Sequence, residues 1–254
     1  MKLEFPKLYT DLAKYYDRLE SQYRDYQSET EWLKKIIDQH GIRRIIDISC
    51  GTGNHLSGLV SGGSIREFTA ADASIQMIKL AKEKLRGQNG YFTQADFLSL
   101  PFNHESFDAA ICMYWSIAGL NEQLVKDLFH EAARILKKNG VFVFDTENAE
   151  GIKEDLLDTP YIDSYFPDYD GVVVRANFSA MVEPALVDWH AYYLIEHSGV
   201  SELVNDRMNL RFYGRRQLED LLEETGFRVL EVLSGPSKKY EKKSPSLYFI
   251  TEKE

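Results

Sequence analysis

Cysteine is nearly absent from this chain. Cys50 and Cys112 are the only two in 254 residues, too few for a disulfide framework, and this points to a reducing, cytoplasmic setting. Long apolar runs are missing too: no stretch approaches the roughly 20 residues that span a bilayer. The start, Met1 to Tyr26, is charged and aromatic rather than a basic end leading into an apolar run, so neither a signal peptide nor a membrane partner is expected. Basic charge is in deficit. Thirty Lys and Arg face 40 Asp and Glu, a net charge of -10, which argues against a nucleic-acid backbone as partner, because such partners favour a basic face. The six histidines are scattered without metal-ligand spacing, so no metal is expected. Neither an internal repeat nor a low-complexity tract is visible.

What is present is a hydrophobic fraction of 44%, enough to bury a sizeable core in a single α/β domain carrying an elaboration. Ser28-x-x-Glu31 reads as a capping box that opens a helix through Trp32, Ile36 and Ile37 and ends at Gly41, with another helix before it. Ile45, Ile46 and Ile48 form a β-branched run that ends in a glycine turn. The alternation then repeats. Strands are expected at Phe68–Ala71, Tyr91–Ala95, Phe107–Met113 and Val141–Phe144. Helices lie between them at Ser74–Leu85, capped by its serine, and at Glu122–Leu136, closed by Asn139 and Gly140. Strands alternating with amphipathic helices imply a mostly parallel, doubly wound Rossmann-like sheet with right-handed crossovers. After Glu150 the pattern changes to Val172–Met181, Leu186–Ile195 and Ser201–Phe212, strands with no helix between them and hence an antiparallel insert. The helix Arg215–Glu224 and the strands Phe227–Leu233 and Leu247–Thr251 then complete the sheet with one reversed strand.

The segment Asp47-Ile48-Ser49-Cys50-Gly51-Thr52-Gly53 lies between a strand and a helix, where glycine lets a ligand approach the backbone closely. Nineteen positions after Gly53, Asp72 closes the second strand, where a carboxylate can accept both hydroxyls of a ribose. Either feature alone is ordinary in α/β proteins, but their joint spacing indicates an adenosine-containing cofactor. A nicotinamide fingerprint would need a third glycine, and the position three after Gly53 is Leu56. Asp47 suits an ammonium better than a pyrophosphate.

Asp-x-x-Cys-Gly-Thr-Gly over Asp47–Gly53 resembles the first motif of class I S-adenosylmethionine-dependent methyltransferases, and further motifs follow in order. Asp72-Ala73-Ser74 with Met77 resembles the ribose and adenine segment. Asp96-Phe97, within Gln94-Ala95-Asp96-Phe97-Leu98-Ser99-Leu100-Pro101-Phe102, resembles the segment that hydrogen-bonds and packs the adenine. Phe107-Asp108 opens the fourth strand, and Arg134-Ile135-Leu136-Lys137-Lys138-Asn139-Gly140 resembles the turn into the fifth. The likeness runs from Leu8 to Gly151 and resumes from Tyr213 to Phe227. It implies S-adenosyl-L-methionine as cofactor, held by Tyr16, Asp47, Ser49, Cys50, Gly51, Gly53, Asp72, Ala73, Met77, Asp96, Phe97 and Met113. Ser49 departs from the pattern, since the family usually has glycine there, and a serine at positive φ would be strained.

Tyr9-x-x-x-Ala13-x-x-Tyr16-Asp17, followed by Tyr23 and Tyr26, resembles the cap of small-molecule N-methyltransferases of the glycine and amino-sugar type. That likeness implies a small acceptor, most simply an amine, with Tyr16 toward the methionine end of the cofactor and Tyr9 toward the substrate. Relatives acting on amino sugars often carry a polar ring in the loop after the fourth strand; here Met113-Tyr114-Trp115-Ser116-Ile117-Ala118-Gly119 ends on glycine instead. Trp115, His190, Arg211 and Tyr213 complete the acceptor candidates, and Tyr9 and His190 are the candidates for a catalytic group; packing or solvation accounts for each of them as well. In the insert, alternation sets Asp188, His190 and Tyr192 on one face against Trp189 and Tyr193 on the other.

The expected organisation is one domain over 1–254: cap helices at 1–40, a cofactor-binding core at 41–150, an antiparallel substrate lid at 151–213 and core completion at 214–254, as a monomer or homodimer. The rival readings are a non-catalytic S-adenosylmethionine-binding regulatory module and a methyltransferase acting on RNA or protein. A DNA amino-methylating enzyme would carry an Asn- or Asp-Pro-Pro-aromatic motif after the fourth strand, and none is present.

Overall fold

The computed structural model describes residues 6–21, 23–63, 65, 67–151, 161–165 and 172–254. They form two compact units, Asp25–Ile152 with Phe212–Glu254, and Met1–Arg24 with Lys153–Arg211. Among the described residues no helix is long and apolar enough to cross a membrane.

The larger unit is built on strands β1 (Arg44–Asp47), β2 (Glu67–Asp72), β3 (Gly90–Gln94), β4 (Phe107–Cys112), β5 (Leu136–Glu147), β10 (Phe227–Gly235), β11 (Lys238–Lys239) and β12 (Ser246–Lys253). Their spatial order is β11-β10-β12-β5-β4-β1-β2-β3. β1 to β5 pair in parallel, whereas β12 runs antiparallel to both β5 and β10, so it is the reversed strand expected from the sequence. Two apolar layers sandwich this sheet. On one face α5 (Glu122–Ile135) and α6 (Arg215–Glu224) bury Leu128, Phe129 and Leu222 against Phe142, Phe144 and Phe249. The rings of Phe144 and Phe249 stack with centroids 4.9 Å apart. On the other face α2 (Tyr26–His40), α3 (Asn54–Ser61) and α4 (Ile75–Lys84) bury Trp32, Leu56 and Ile78 against Ile45, Ile111 and Val143. Because consecutive strand residues point to opposite faces, Phe142 and Phe144 serve one layer and Val141 and Val143 the other.

In the smaller unit, β6 (Tyr161–Tyr165), β7 (Val172–Glu183), β8 (Leu186–His197) and β9 (Val200–Arg211) form an antiparallel sheet in sequence order. The alternation expected along β8 is present: Val187, Ala191 and Tyr193 are buried, while Asp188, His190 and Tyr192 line the other face. Two 3-10 turns, Lys7–Tyr9 and Ala13–Tyr15, lead into α1 (Tyr16–Glu20). Asp206 of β9 accepts the backbone N–H groups of Lys7 and Leu8 at 2.7 and 3.0 Å. Arg175 of β7 pairs with Glu20 of α1.

Several boundaries differ from the sequence reading. The cap of α2 is Asp25, whose carboxylate accepts the Ser28 N–H at 3.0 Å, so Ser28 lies in the first turn rather than at the cap. α5 ends at Ile135 and β5 begins at once at Leu136; Asn139, at φ 60°, bends the strand instead of closing the helix. Among the described residues, the helix expected before α2 is the short α1. β6 was not anticipated, and β11 lies within the expected turn. Asp25→Ala should lower stability by about 1 kcal/mol in denaturant unfolding, while Ser28→Ala should leave it within about 0.5 kcal/mol. The reverse order would restore Ser28 as the cap.

Candidate cofactor and active site

The chain leaves β1 through the glycine loop and enters α3, so the loop sits at the carboxyl edge of the sheet, where parallel sheets bind ligands. Gly51 and Gly53 have φ of 52° and 82°, in the left-handed region that disfavours a side chain. A Cβ on Gly51 would meet nothing within 4 Å, leaving the backbone open to a ligand, whereas one on Gly53 would press on Leu85 and Ala81 of the neighbouring α4 turn at 3.1 and 3.3 Å. Ser49 is not among the residues with positive φ, so serine carries no backbone strain there. Its hydroxyl approaches Cys112 Sγ at 3.4 Å and accepts from the Ser116 hydroxyl at 3.0 Å. Burial pushes the Cys112 thiol up to about 12 and raises the Cys50 thiol as well. Both cysteines are free and buried.

Asp72 organises the loop. Its Oδ2 accepts the Gly51 N–H at 2.9 Å and its Oδ1 the Ser74 N–H at 2.8 Å, tying the end of β2 to the loop after β1 and to the start of α4. Burial raises its pKa, and the two N–H donors oppose that rise. Ser74 caps α4 by accepting the Met77 N–H at 3.3 Å, as expected. Each Asp72 oxygen keeps lone-pair capacity for a ribose hydroxyl. Asp47 is 1% exposed and accepts the Ser49 N–H at 3.2 Å. Burial pushes its pKa up to about 7, which the charge of His55 and the Ser49 N–H oppose and the charge of Asp72 reinforces. Met77 and Met113 are buried, Ala73 and Phe97 partly so, and the exposed Asp96 accepts the Leu98 N–H at 2.9 Å. The open backbone at Gly51, the ribose-competent carboxylate of Asp72 and the buried acid at Asp47 fit the chemistry of S-adenosylmethionine.

After β4 the backbone takes positive φ at two successive aromatics, Tyr114 (66°) and Trp115 (56°). Asp145 of β5, fully buried, holds this turn by accepting the N–H groups of Tyr114 at 2.6 Å and Trp115 at 3.4 Å. Two residues along, Glu147 has one buried carboxylate oxygen, Oε2, with no hydrogen-bond partner among the described residues. Burial, and then the charge of Asp145, push its pKa up to about 8. The sequence reading passed over Ser116, Asp145 and Glu147. Two carboxylates spaced i, i+2 at the end of a buried strand, an unfavourable place for charge, were the signal available.

The acceptor candidates are less concentrated. Tyr213 is fully buried and donates its hydroxyl to the Leu120 carbonyl at 2.6 Å, which makes it a core side chain. In the smaller unit, Tyr9 and Tyr16 contact one another with ring centroids 5.9 Å apart. His190 lies 3.1 Å from Asp188, which also pairs with Arg207 at 2.7 Å; that guanidinium first, then His190, holds the Asp188 carboxyl down near about 2. Arg211 ends β9, half-buried. A cleft of about 390 Å³ lined by His40, Arg43, Asp108 and Lys137 opens at the amino-terminal edge of the larger sheet, away from the glycine loop.

Asp72→Ala should weaken S-adenosylmethionine binding about 100-fold in calorimetry, the worth of two charge-assisted hydrogen bonds, with the circular dichroism spectrum unchanged. Retention of wild-type affinity would remove Asp72 from the site.

Comparison with known proteins agrees with this geometry. Residues 45–140 match the family described as "Methyltransferase domain". The chain is 27% identical to a glycine/sarcosine N-methyltransferase of Aphanothece halophytica, covering 94% of this chain and 86% of that one. It is 24% identical to a demethylmenaquinone methyltransferase of Thermotoga maritima, covering 88% and 87%. In fold it resembles the sugar N-methyltransferase KedS8 of a Streptoalloteichus species, with a TM-score of 0.78 at 22% identity over 100% of this chain and 95% of that one. With the glycine loop, Asp72 and the reversed β12 in place, the chain carries a methyltransferase domain over residues 45–140 and is similar in sequence and fold to S-adenosylmethionine-dependent methyltransferases.

Proposed function

We propose that the chain transfers the methyl group to the nitrogen of a small amine. Bound S-adenosylmethionine supplies a methyl on a sulfonium centre, and transfer needs in-line alignment of the nucleophile and exclusion of water. An amine reaches the protein as an ammonium and must lose a proton before its lone pair can form the new N–C bond.

Glu147 is the observation that carries this reading. Its pKa near 8 suits a group that takes that proton close to neutral pH. It lies two residues along β5 from Asp145, which anchors the turn at Tyr114 and Trp115, while Ser116 in the same turn bonds Ser49 of the glycine loop. As a carboxylate Glu147 would accept a hydrogen bond from the ammonium and then its proton; as the neutral acid it would leave the amine free to react. A polyanionic acceptor gains nothing from two acids, the buried Asp145 and the half-buried Glu147, at this edge. Two relatives bearing the names of N-methyltransferases support the same reading. Within it Trp115 is an acceptor wall.

The test is transfer of labelled methyl to glycine, sarcosine, amino sugars and hydroxylated acceptors, with bulk RNA and protein alongside. Label on an amine nitrogen is the expected result; label confined to oxygen, carbon, RNA or protein would overturn the reading. Glu147→Gln should lower kcat/KM for that amine about 100-fold, remove the limb of the pH–rate profile near pH 8 and leave cofactor affinity unchanged.

A further inference from the structure

Two successive non-glycine residues at positive φ do not hold themselves. Tyr114 at 66° and Trp115 at 56° occupy a region that side chains disfavour, so the turn after β4 persists only where its surroundings fix it. Asp145 fixes it from β5 through two backbone N–H groups. A second support comes from the strand on the other side of β4.

That strand is β1, which pairs with β4 in parallel from Ile45 opposite Ala109 to Asp47 opposite Ile111. The contact continues past the end of β1, where the Ile48 N–H donates to the Ile111 carbonyl at 3.0 Å. The next side chains then meet, the Ser49 hydroxyl lying 3.4 Å from Cys112 Sγ. Ser116 folds back toward the same point. Its hydroxyl is 2.9 Å from the Met113 carbonyl, which closes the turn over Tyr114 and Trp115, and 3.0 Å from the Ser49 hydroxyl. A hydroxyl has one proton and two lone pairs, and a carbonyl can only accept. Ser116 therefore serves both partners at once because Ser49 is itself a hydroxyl, able to donate as well as accept.

The glycine loop does not need that hydroxyl for its own path. The Ser49 φ is not positive, and its backbone N–H donates to Asp47 at 3.2 Å. Among the described residues both side-chain hydrogen bonds of Ser49 go to the β4 side, to Cys112 and Ser116.

We propose that Ser49, although it lies in the glycine loop, is a positioning residue for the acceptor: through Ser116 it holds the turn that carries Trp115. This rests on the reading of Trp115 as an acceptor wall. The hydroxyl pair ties the cofactor loop to that wall and fixes the spacing between them, which in-line displacement requires.

The experiment uses the full chain and the variants Ser49→Ala, Ser116→Ala, the double alanine variant and Ser116→Thr. Three quantities are measured: amide hydrogen exchange over residues 113–117 without ligand, S-adenosylhomocysteine affinity by calorimetry, and KM for the amine that takes the labelled methyl. Loss of one hydrogen bond corresponds to about five-fold, so exchange at Tyr114 and Trp115 should quicken by about that factor in Ser49→Ala. Ser116→Ala, which also loses the bond to Met113, should exchange at least as fast, the double variant no faster than Ser116→Ala, and Ser116→Thr near wild type. The amine KM should rise about five-fold in Ser49→Ala, with kcat and S-adenosylhomocysteine affinity within about two-fold of wild type. Unchanged exchange in Ser49→Ala, or additive effects in the double variant, would overturn the proposal. So would a loss confined to S-adenosylhomocysteine affinity, which would place the hydroxyl on the cofactor, or a wild-type amine KM in a protein whose turn has loosened. Absence of label on any amine would instead show in wild type before a variant is made; it would remove the acceptor, and exchange alone would then decide whether Ser49 holds the turn.

Discussion

Asp47 and Asp72 end neighbouring parallel strands, the first buried and the second half-buried, and both carboxyls accept backbone N–H groups. Uncompensated, each buried charge would cost several kcal/mol. The compensation comes from the N–H groups of Ser49, Gly51 and Ser74, and delivering those donors dictates the local chain path. The loop can present the Gly51 N–H to Asp72 because Gly51 takes positive φ, and it can turn into α3 against Ala81 and Leu85 because Gly53 has no side chain. The hydrogen bonding of Asp72 and the glycine spacing are therefore two views of one electrostatic requirement.

This origin explains why so much of the cofactor side was legible in the sequence. The loop is a local solution: its glycines, the capping serine at position 74 and the strand-end aspartate recur at fixed short spacings, and each residue type is the one that φ or hydrogen-bond chemistry demands. The alternation of β-branched runs and amphipathic helices likewise exposed the doubly wound sheet and its reversed strand. Errors arose where two local signals competed. Asp25 and Ser28 are both competent caps three residues apart, and only the folded chain shows Asp25 in that role. Asn139-Gly140 has the composition of a helix stop, yet Asn139 takes positive φ within β5.

What the sequence withheld is non-local. The pairing of Glu29 with His55 spans 26 positions and that of Glu29 with Tyr248 spans 219, so no window of periodicity contains either. Asp145 reads as the polar end of an apolar strand. Its function, holding Tyr114 and Trp115 in a conformation that costs about 1–3 kcal/mol per residue, is visible only once β4 and β5 lie side by side. Tyr213 failed as an acceptor candidate for the same reason: an aromatic residue before a late helix looks available until its hydroxyl is found on the Leu120 carbonyl.

The division of labour between the two ends of this edge follows from what changes during methyl transfer. The ribose and the ammonium, the groups suited to Asp72 and Asp47, are chemically the same before and after the reaction. Contacts to them bind ground state and transition state equally, so they govern affinity and contribute little to acceleration. In the proposed transfer to an amine, the groups whose charge changes are the sulfur, which loses its positive charge, and the acceptor nitrogen, which gains it. Acceleration has to come from residues that respond to the nitrogen. On that account the carboxylate of Asp72, held by two backbone N–H groups, belongs on the β1–β2 side, and a carboxylate poised to exchange a proton belongs on the β4–β5 side, where the strained turn is pinned by Asp145 and Glu147 lies two residues further on.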